Sequence, residues 1–339
     1  MRTGIVSYGV YVPRYRLRLD EIRSFWGNLS TPAIREKAFP GHDEDPITMA
    51  VEASRKALSS SHVPAHGIRA IFLATSSGPY DEKPNVSTLA AALSGSPRMR
   101  VVELGGSPRA GGLALLSALE FCQCWGEPAL AVASDAPLAH PSSALEHGLG
   151  AGAVAFVVAP HQEATWLEAV ESFSVETFGE RFRRRGDRYL QDLELRQEEL
   201  SASVLGAVNG LLQARNMGIG DFDFLVLPDP DGLTPARLAS QLGASQERLV
   251  SLTPRVGDAG AAGVLMGLAH ALDAARAGQR ILVVSYGSGA DAMIWSVGRA
   301  TMLASEAEGG LERLLGEARF VDYGEYLRLR GFLSPRCSI

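Results

Sequence analysis

Cysteine is scarce. There are three, Cys122, Cys124 and Cys337, an odd number without paired metal-ligand spacing. This indicates neither a disulfide framework nor a zinc site, and it points to a reducing compartment. Long apolar runs are missing too, since none reaches the roughly 18 residues of a membrane span. The opening Met-Arg-Thr-Gly leads straight into Ile5-Val-Ser-Tyr-Gly-Val-Tyr-Val12, with no charged-then-apolar leader. The cytoplasm is therefore the expected setting, with no membrane partner. There is no positive excess either: at a net charge of −6, nothing draws the chain to a polyanion, so nucleic acid is excluded as a partner. Glycine, by contrast, is abundant at 36, and 46% hydrophobic against 21% charged residues is the balance of a compact α/β protein.

The strongest positive signal is a repeat. Ala129-Leu-Ala-Val-Ala-Ser-Asp135 and Ile281-Leu-Val-Val-Ser-Tyr-Gly287 are apolar strands with small or polar ends, each preceded by a long apolar helix. Ile71-Phe-Leu-Ala-Thr75 and Phe224-Leu-Val-Leu-Pro228 form a second pair at nearly the same separation. The helices that follow, from Ser87 and from Pro235, form a third. A β-α-β-α-β-β order written twice predicts two similar sheet-bearing halves, with any shared site where their strand ends meet. The basic connector near 175–195 is the one composition shift, so the halves are placed at 1–175 and 176–339. Other elements expected are helices at 19–26, 45–58, 110–124, 196–216 and 260–277, strands at 100–104, 148–159, 166–177 and 290–298, and an extra helix at 301–318 before a basic tail.

With the repeat established, several segments resemble the thiolase superfamily, and within it the prokaryotic hydroxymethylglutaryl-CoA synthase branch. They are Gly4–Leu17, Asp43-Glu-Asp-Pro-Ile-Thr-Met-Ala-Val51, Gly186-Asp-Arg-Tyr189, Val256-Gly-Asp-Ala-Gly-Ala-Ala262 and Gln279–Gly289, in the right order and nearly end to end. The resemblance implies a thiolase-like fold, an α-β-α-β-α five-layer sandwich, and a dimer built by extending a sheet across a two-fold axis. It also implies a nucleophilic cysteine at the start of the helix after strand 100–104, where the helix dipole favours thiolate. In Glu103-Leu-Gly-Gly-Ser-Pro-Arg-Ala-Gly-Gly112 that place falls on Gly106, Ser107 or Pro108. The family's histidine falls on Pro228, its acidic glutamate on Ser76 and Ser77, and its asparagine on Asp258. In Gly186-Asp-Arg-Tyr189 and Val256–Ala262, and in lacking the cysteine, the chain also resembles synthase-like subunits such as that of the bacterial complex that acetylates phloroglucinol.

Four replaced positions predict a non-catalytic subunit. It would scaffold a hetero-oligomeric acyltransferase, as a homodimer beside a thiolase-fold catalytic partner, with a small zinc-ribbon/OB-fold protein bridging them and an acyl-CoA or carrier-bound substrate. No cofactor or metal of its own is expected. The alternative is a divergent acyltransferase or acyl-CoA-processing enzyme using Ser107 or Asp258. A third reading is a module that holds an acyl-CoA or polyketide without turning it over. The seven histidines read as solvated or structural, His147 being the nearest to a candidate because it precedes Gly148-Leu-Gly-Ala-Gly152. Ser107 doubles as a helix N-cap, and Cys122 and Cys124 sit at the wrong end of their helix to be nucleophiles. Gly287 and Gly289 are expected to allow close backbone approach at the site floor. Arg181, Arg183, Arg184, Arg185 and Arg188 could grip a phosphate or an acidic partner, Arg185 and Arg188 being taken as substrate-binding.

Overall fold

The computed structural model describes residues 2–27, 33–93, 96–177, 181–192, 196–301 and 310–333. Two sheets form its frame. In the first, β1 (Thr3–Tyr11), β7 (Gly152–Pro160), β6 (Ala129–Asp135), β4 (Ala70–Ala74) and β5 (Arg100–Leu104) lie in the order β1-β7-β6-β4-β5. In the second, the order is β8 (Trp166–Ser174), β11 (Gly289–Ser296), β10 (Arg280–Tyr286) and β9 (Phe224–Val226). A single parallel bridge from Leu225 to Leu249 marks the place that β5 holds in the first sheet. The two sheets thus repeat one topology, and each repeat begins one strand and one helix ahead of the paired segments seen in the sequence. The change of sheet falls between Pro160 and Trp166, ahead of the composition seam at 175. Strand β8 pairs with β11 over its whole length, so it belongs to the second half although it precedes the connector.

Helices complete five layers. The helices α2 (Pro46–Ser59) and α3 (Asn85–Ala92) cover the outer face of the first sheet, and α6 (Arg196–Arg215) and α7 (Thr234–Leu242) that of the second. Between the sheets, α4 (Ala110–Trp125) packs on α9 (Gly263–Ala274). Central strands covered on both faces read as unbroken apolar runs rather than alternating ones, which is why every residue of Ala129–Asp135 is buried. Close approach of the middle helices requires small residues. A β-carbon on Gly111 would stand 2.0 Å from the Ala261 carbonyl oxygen, and one on Gly112 would stand 2.5 Å from Ser285 Oγ. Helix α2 starts where Asp45 caps Ile47 and Thr48, with Pro46 at its first turn.

Strand 148–159 starts later than the apolar pattern suggests, because Ser143 caps a short helix, α5 (Ala144–Gly148), ahead of it. Likewise 260–262 is a 3₁₀ turn leading into α9. Of the helix expected at 301–318, the described part spans Gly310–Gly316, and 302–309 lie outside the described residues. Up to residue 333, where the described residues end, the basic tail carries regular elements. Its strand β12 (Arg319–Val321) joins β2 (Tyr15–Arg18) and β3 (Glu36–Ala38) in a small third sheet, and the helix Tyr323–Leu329 packs over it. Leu17, Ile22, Phe39, Val321 and Tyr326 form the core of this unit. Three-residue strands carry too little periodicity to be read from sequence.

His147 lies beneath this small sheet, 1% exposed, and neither ring nitrogen has a hydrogen-bond partner among the described residues. Burial, with a lesser contribution from the Lys37 ammonium, pushes its pKa down to about 4. The folded chain therefore holds the ring neutral while the unfolded chain takes up a proton below about 6.5. Stability from this group is complete above that pH and is lost as pH falls toward 4. In thermal or urea unfolding at two pH values, His147→Leu should flatten the acid loss in this window by up to about 3 kcal/mol. An unchanged slope would show that His147 titrates freely in the fold.

Candidate functional site

The carboxyl ends of the two sheets converge around the first turn of α4 and the loop before α9. Three buried ion or hydrogen-bond clusters organise this region. At the end of β6, Asp135 is 0% exposed and gathers donors from two segments. Its Oδ1 accepts from Thr75 Oγ1 at 3.0 Å, Ser76 N at 2.7 Å, Ser77 N at 2.9 Å and Ser77 Oγ at 2.7 Å. Its Oδ2 accepts from Ser76 Oγ at 2.8 Å and Ala261 N at 2.8 Å. Ser76 and Ser77 are thus committed to holding the loop after β4 against the loop before α9. A carboxylate at the end of a strand that is apolar up to Ser134 is the signal that could have identified Asp135 from sequence.

The second cluster joins the halves. Arg109, the residue before α4, donates from Nε to Asp291 Oδ2 at 2.7 Å and from Nη2 to Asp291 Oδ1 at 2.6 Å, a two-pronged pair with Asp291 fully buried on β11. Asp291 also accepts from Ser172 Oγ on β8 at 2.7 Å. Arg109 Nη1 donates to the Ser288 carbonyl at 3.2 Å. This turn is tight: a β-carbon on Gly289 would meet the Phe173 carbonyl oxygen at 2.0 Å, and one on Gly287 would meet Ser107 Oγ at 2.3 Å. Ser107 therefore lies against Gly287 in the opposite half. Its carbonyl, rather than its hydroxyl, accepts from Ala110 N, and the position capping α4 is Arg109, which makes no side-chain cap. Among the described residues, Ser107 Oγ has neither an imidazole nor a carboxylate within hydrogen-bond reach.

The third cluster belongs to the connector. Arg181 Nη1 lies 2.5 Å from Asp258 Oδ2, with the two side chains 9% and 14% exposed. Asp258 Oδ1 accepts from Gly260 N at 2.9 Å, and the Asp258 main chain exchanges bonds with Gly148 and Gly150. The glycine-rich turn after His147 is thus a docking surface for this loop, since a β-carbon on Gly150 would lie 2.0 Å from the Val256 carbonyl oxygen. Nearby, Asp229 accepts from Gly232 N at 2.7 Å and from Ser251 Oγ. Burial pushes its pKa up to about 6, against the opposing effect of those hydrogen bonds.

A cavity of about 100 Å³ opens between these loops. Its lining combines the polar side chains of Arg181, Asp229, Ser251, Thr253, Asp258 and Tyr286 with apolar ones that include Val226, Val250, Val264 and Met266. Of the positions singled out in the sequence, Pro108, Arg181, Pro228 and Asp258 line it. Ser76, Gly106, Ser107, Gly287 and Gly289 lie outside its lining. Arg183 crosses over to donate to the Ser76 carbonyl at 2.8 Å. Arg188 donates to the carbonyls of Arg330 and Gly331 at 3.1 and 3.0 Å, with its guanidinium over the rings of Tyr189 and Phe332, while Arg185 faces solvent. Cys122 is buried, which pushes its thiol pKa up, and Cys124 is exposed, both at the far end of α4. Cys337 lies outside the described residues. The arrangement can hold a ligand at the cavity; among the described residues it sets no thiol against it, and the hydroxyl there that meets a carboxylate is Ser251, which donates to Asp229.

Residues 212–297 match the family described as 3-oxoacyl-[acyl-carrier-protein (ACP)] synthase III C terminal. The hydroxymethylglutaryl-CoA synthase of Pyrobaculum neutrophilum is 33% identical over 97% of this chain and 97% of its own. Among solved structures, PksG, a hydroxymethylglutaryl-CoA synthase from Bacillus subtilis, superposes with a TM-score of 0.85 at 21% identity, covering 97% of this chain and 88% of that one. The hydroxymethylglutaryl synthase of the curacin biosynthetic pathway, in complex with an apo donor-ACP, does so at 0.83 and 22%, covering 98% and 89%.

Proposed function

The chain belongs to the hydroxymethylglutaryl-CoA synthase family, a branch of the thiolase superfamily, and we propose that within it this protein is a non-catalytic subunit that scaffolds a hetero-oligomeric acyltransferase. One observation carries the reading. The groups standing where the resemblance implies catalytic residues are absent or already engaged: Ser76 on Asp135, Asp258 on Arg181, and Pro228 with no titratable group. Serine Ser107, at the nucleophile's place, has no base beside it. A fold kept without its chemistry is kept for its surfaces.

Two surfaces suit that role. Strand β5 is the free edge of the first sheet among the described residues and is only partly buried, so a second copy can extend the sheet there. Trp125, 62% exposed, lies on the helix behind it. The exposed Arg184 and Arg185 form a basic rim suited to the phosphates of an acyl-CoA or of a carrier's prosthetic arm, the curacin-pathway relative having been captured with a donor-ACP. The catalytic partner would be a thiolase-fold chain, with a zinc-ribbon/OB-fold protein between them. A second reading, a divergent acyltransferase, draws support from Asp258 lining an open cavity.

Co-expression with a thiolase-fold chain encoded beside it tests the scaffold reading. The isolated chain should scatter light as at least a dimer, and the pair should purify as a stable mixed complex. A strict monomer, unchanged by the partner, would remove the support for this function.

A further inference from the structure

Residues 181–192 tie three parts of the molecule together. At one end Arg181 lines the cavity and pairs with Asp258, while Arg183 donates to the Ser76 carbonyl at 2.8 Å. Phe182 and Gln191 exchange main-chain bonds at 2.8 and 2.9 Å, so the segment doubles back as a hairpin. Its turn closes from Asp187 N to the Arg184 carbonyl at 3.0 Å, with Gly186 at a φ of 86° that favours glycine. On the returning side Leu190 N donates to the Leu138 carbonyl at 2.8 Å, and Tyr189 stacks on Phe332. Arg188 Nη2 donates to the carbonyls of Arg330 and Gly331, just past the helix Tyr323–Leu329, where a cation is well placed to cap a helix end. Arg330 Nη2 in turn donates to the Ala136 carbonyl at 3.1 Å. The C-terminal unit thus holds both the hairpin and the loop on which it rests.

The hold is mostly polar. Arg183 to Arg188 are exposed, and Phe182, Tyr189 and Leu190 are half-buried, Leu190 against the small cluster of Ala139, Leu145 and Leu149. Segments with few buried apolar contacts open locally far more often than the whole fold unfolds. We propose that 181–192 is a strap that swings as a unit away from the mouth of the cavity, and that the C-terminal unit keeps it closed through Arg188. Opening parts Arg181 from Asp258 and removes one side of the mouth, which widens the way in for a bulky molecule. The paired main chain of Phe182 and Gln191 carries a change at Arg188 across the hairpin to Arg181. The device goes beyond scaffolding and does not depend on it, because it concerns entry to the cavity whatever the outer surfaces bind.

Thiol labelling of Gly263→Cys in the full chain tests the strap. Gly263 lines the cavity, and a β-carbon there meets no atom within 4 Å, so the new thiol enters free space. N-ethylmaleimide is small and fluorescein maleimide is bulky, and the exposed Cys124 at the far end of α4 is the reference for both, each site being read by peptide mass. Relative to Cys124, the bulky reagent should lag behind the small one at position 263 by at least about tenfold, as for an open form populated at about a tenth or less. Arg188→Ala and Arg183→Ala should each speed bulky labelling there by about fivefold, the worth of roughly one hydrogen bond, and leave the small reagent and Cys124 unchanged. The dye is anionic, so loss of an arginine's charge alone would slow it, and a gain reports opening. Hydrogen exchange gives an independent readout: the amides of Phe182, Asp187, Leu190 and Gln191 should exchange at one common rate that rises about fivefold in Arg188→Ala. No lag of the bulky reagent in the parent, bulky labelling unmoved by both substitutions, or exchange at Phe182 unmoved by Arg188→Ala overturns the proposal. If Gly263→Cys does not fold, hydrogen exchange in the otherwise unaltered chain decides.

Discussion

Arg109→Met should lower stability by about 3–5 kcal/mol, the cost of stranding a buried charge by removing its partner. The partner, Asp291, is fully buried on β11 and faces Arg109 through two short bonds. After substitution it would keep Ser172 Oγ at 2.7 Å but no cation. Because Arg109 precedes α4 and Asp291 belongs to the second sheet, the loss would loosen the contact between the two halves rather than one half alone. The double variant Arg109→Met with Asp291→Leu should recover most of the loss, since an apolar pair of similar volume avoids the desolvation penalty. Urea unfolding of the two variants beside the parent provides the measurement. A single variant as stable as the parent, or a double variant no better than the single, would show that the pair is not what holds the halves together.

The purified chain should condense acetyl-CoA with acetoacetyl-CoA at least about a thousandfold more slowly than a cysteine-bearing relative, the scale expected when a catalytic unit is missing. Claisen chemistry of the kind the resemblance implies begins with transfer of an acyl group to a thiolate, and no cysteine lies between Glu103 and Gly112. The nearest thiols are Cys122, whose pKa burial raises, and Cys124, both at the carboxyl end of α4, where the dipole opposes thiolate formation. Ser107 cannot substitute without a base to take its proton. Intact-mass spectra after incubation with acetyl-CoA and malonyl-CoA should therefore show no acyl adduct, and Ser107→Ala should leave the spectra unchanged. An adduct that disappears in Ser107→Ala would falsify the non-catalytic reading and favour the divergent acyltransferase.

Much of the architecture is legible in the sequence because its physics is local or repeated. Strand Ala70–Ala74 follows from an unbroken apolar run and helix Ala110–Trp125 from a largely apolar one after a glycine-rich joint, and the doubled order of elements points to two matching sheets. The third sheet is not legible, because Tyr15–Arg18, Glu36–Ala38 and Arg319–Val321 are short and come from distant parts of the chain. The site divides the same way. The replaced positions at Ser76, Ser107, Pro228 and Asp258 can be read by register against the family pattern. Their present partners cannot, because Asp135 meets Ser76, and Arg181 meets Asp258, only through tertiary folding. The arginine cluster is visible as composition, but nothing in composition separates Arg181, which turns inward, from Arg185, which faces solvent.

The pairing of Arg319–Val321 with Tyr15–Leu17 sets an order on the birth of the molecule. Residues 319–321 complete a sheet whose first strand, Tyr15–Arg18, is synthesised long before them. While the chain is still being elongated, Tyr15–Arg18 and the cluster around Leu17 and Ile22 must wait with one side uncovered. Contacts of such long sequence separation form late and slow folding. The first sheet, whose strands all precede Trp166, has no such dependence and can assemble on the ribosome. The tail thus works as a final closure, and a chain cut short before Arg319 would leave that apolar face open to aggregation or to chaperones.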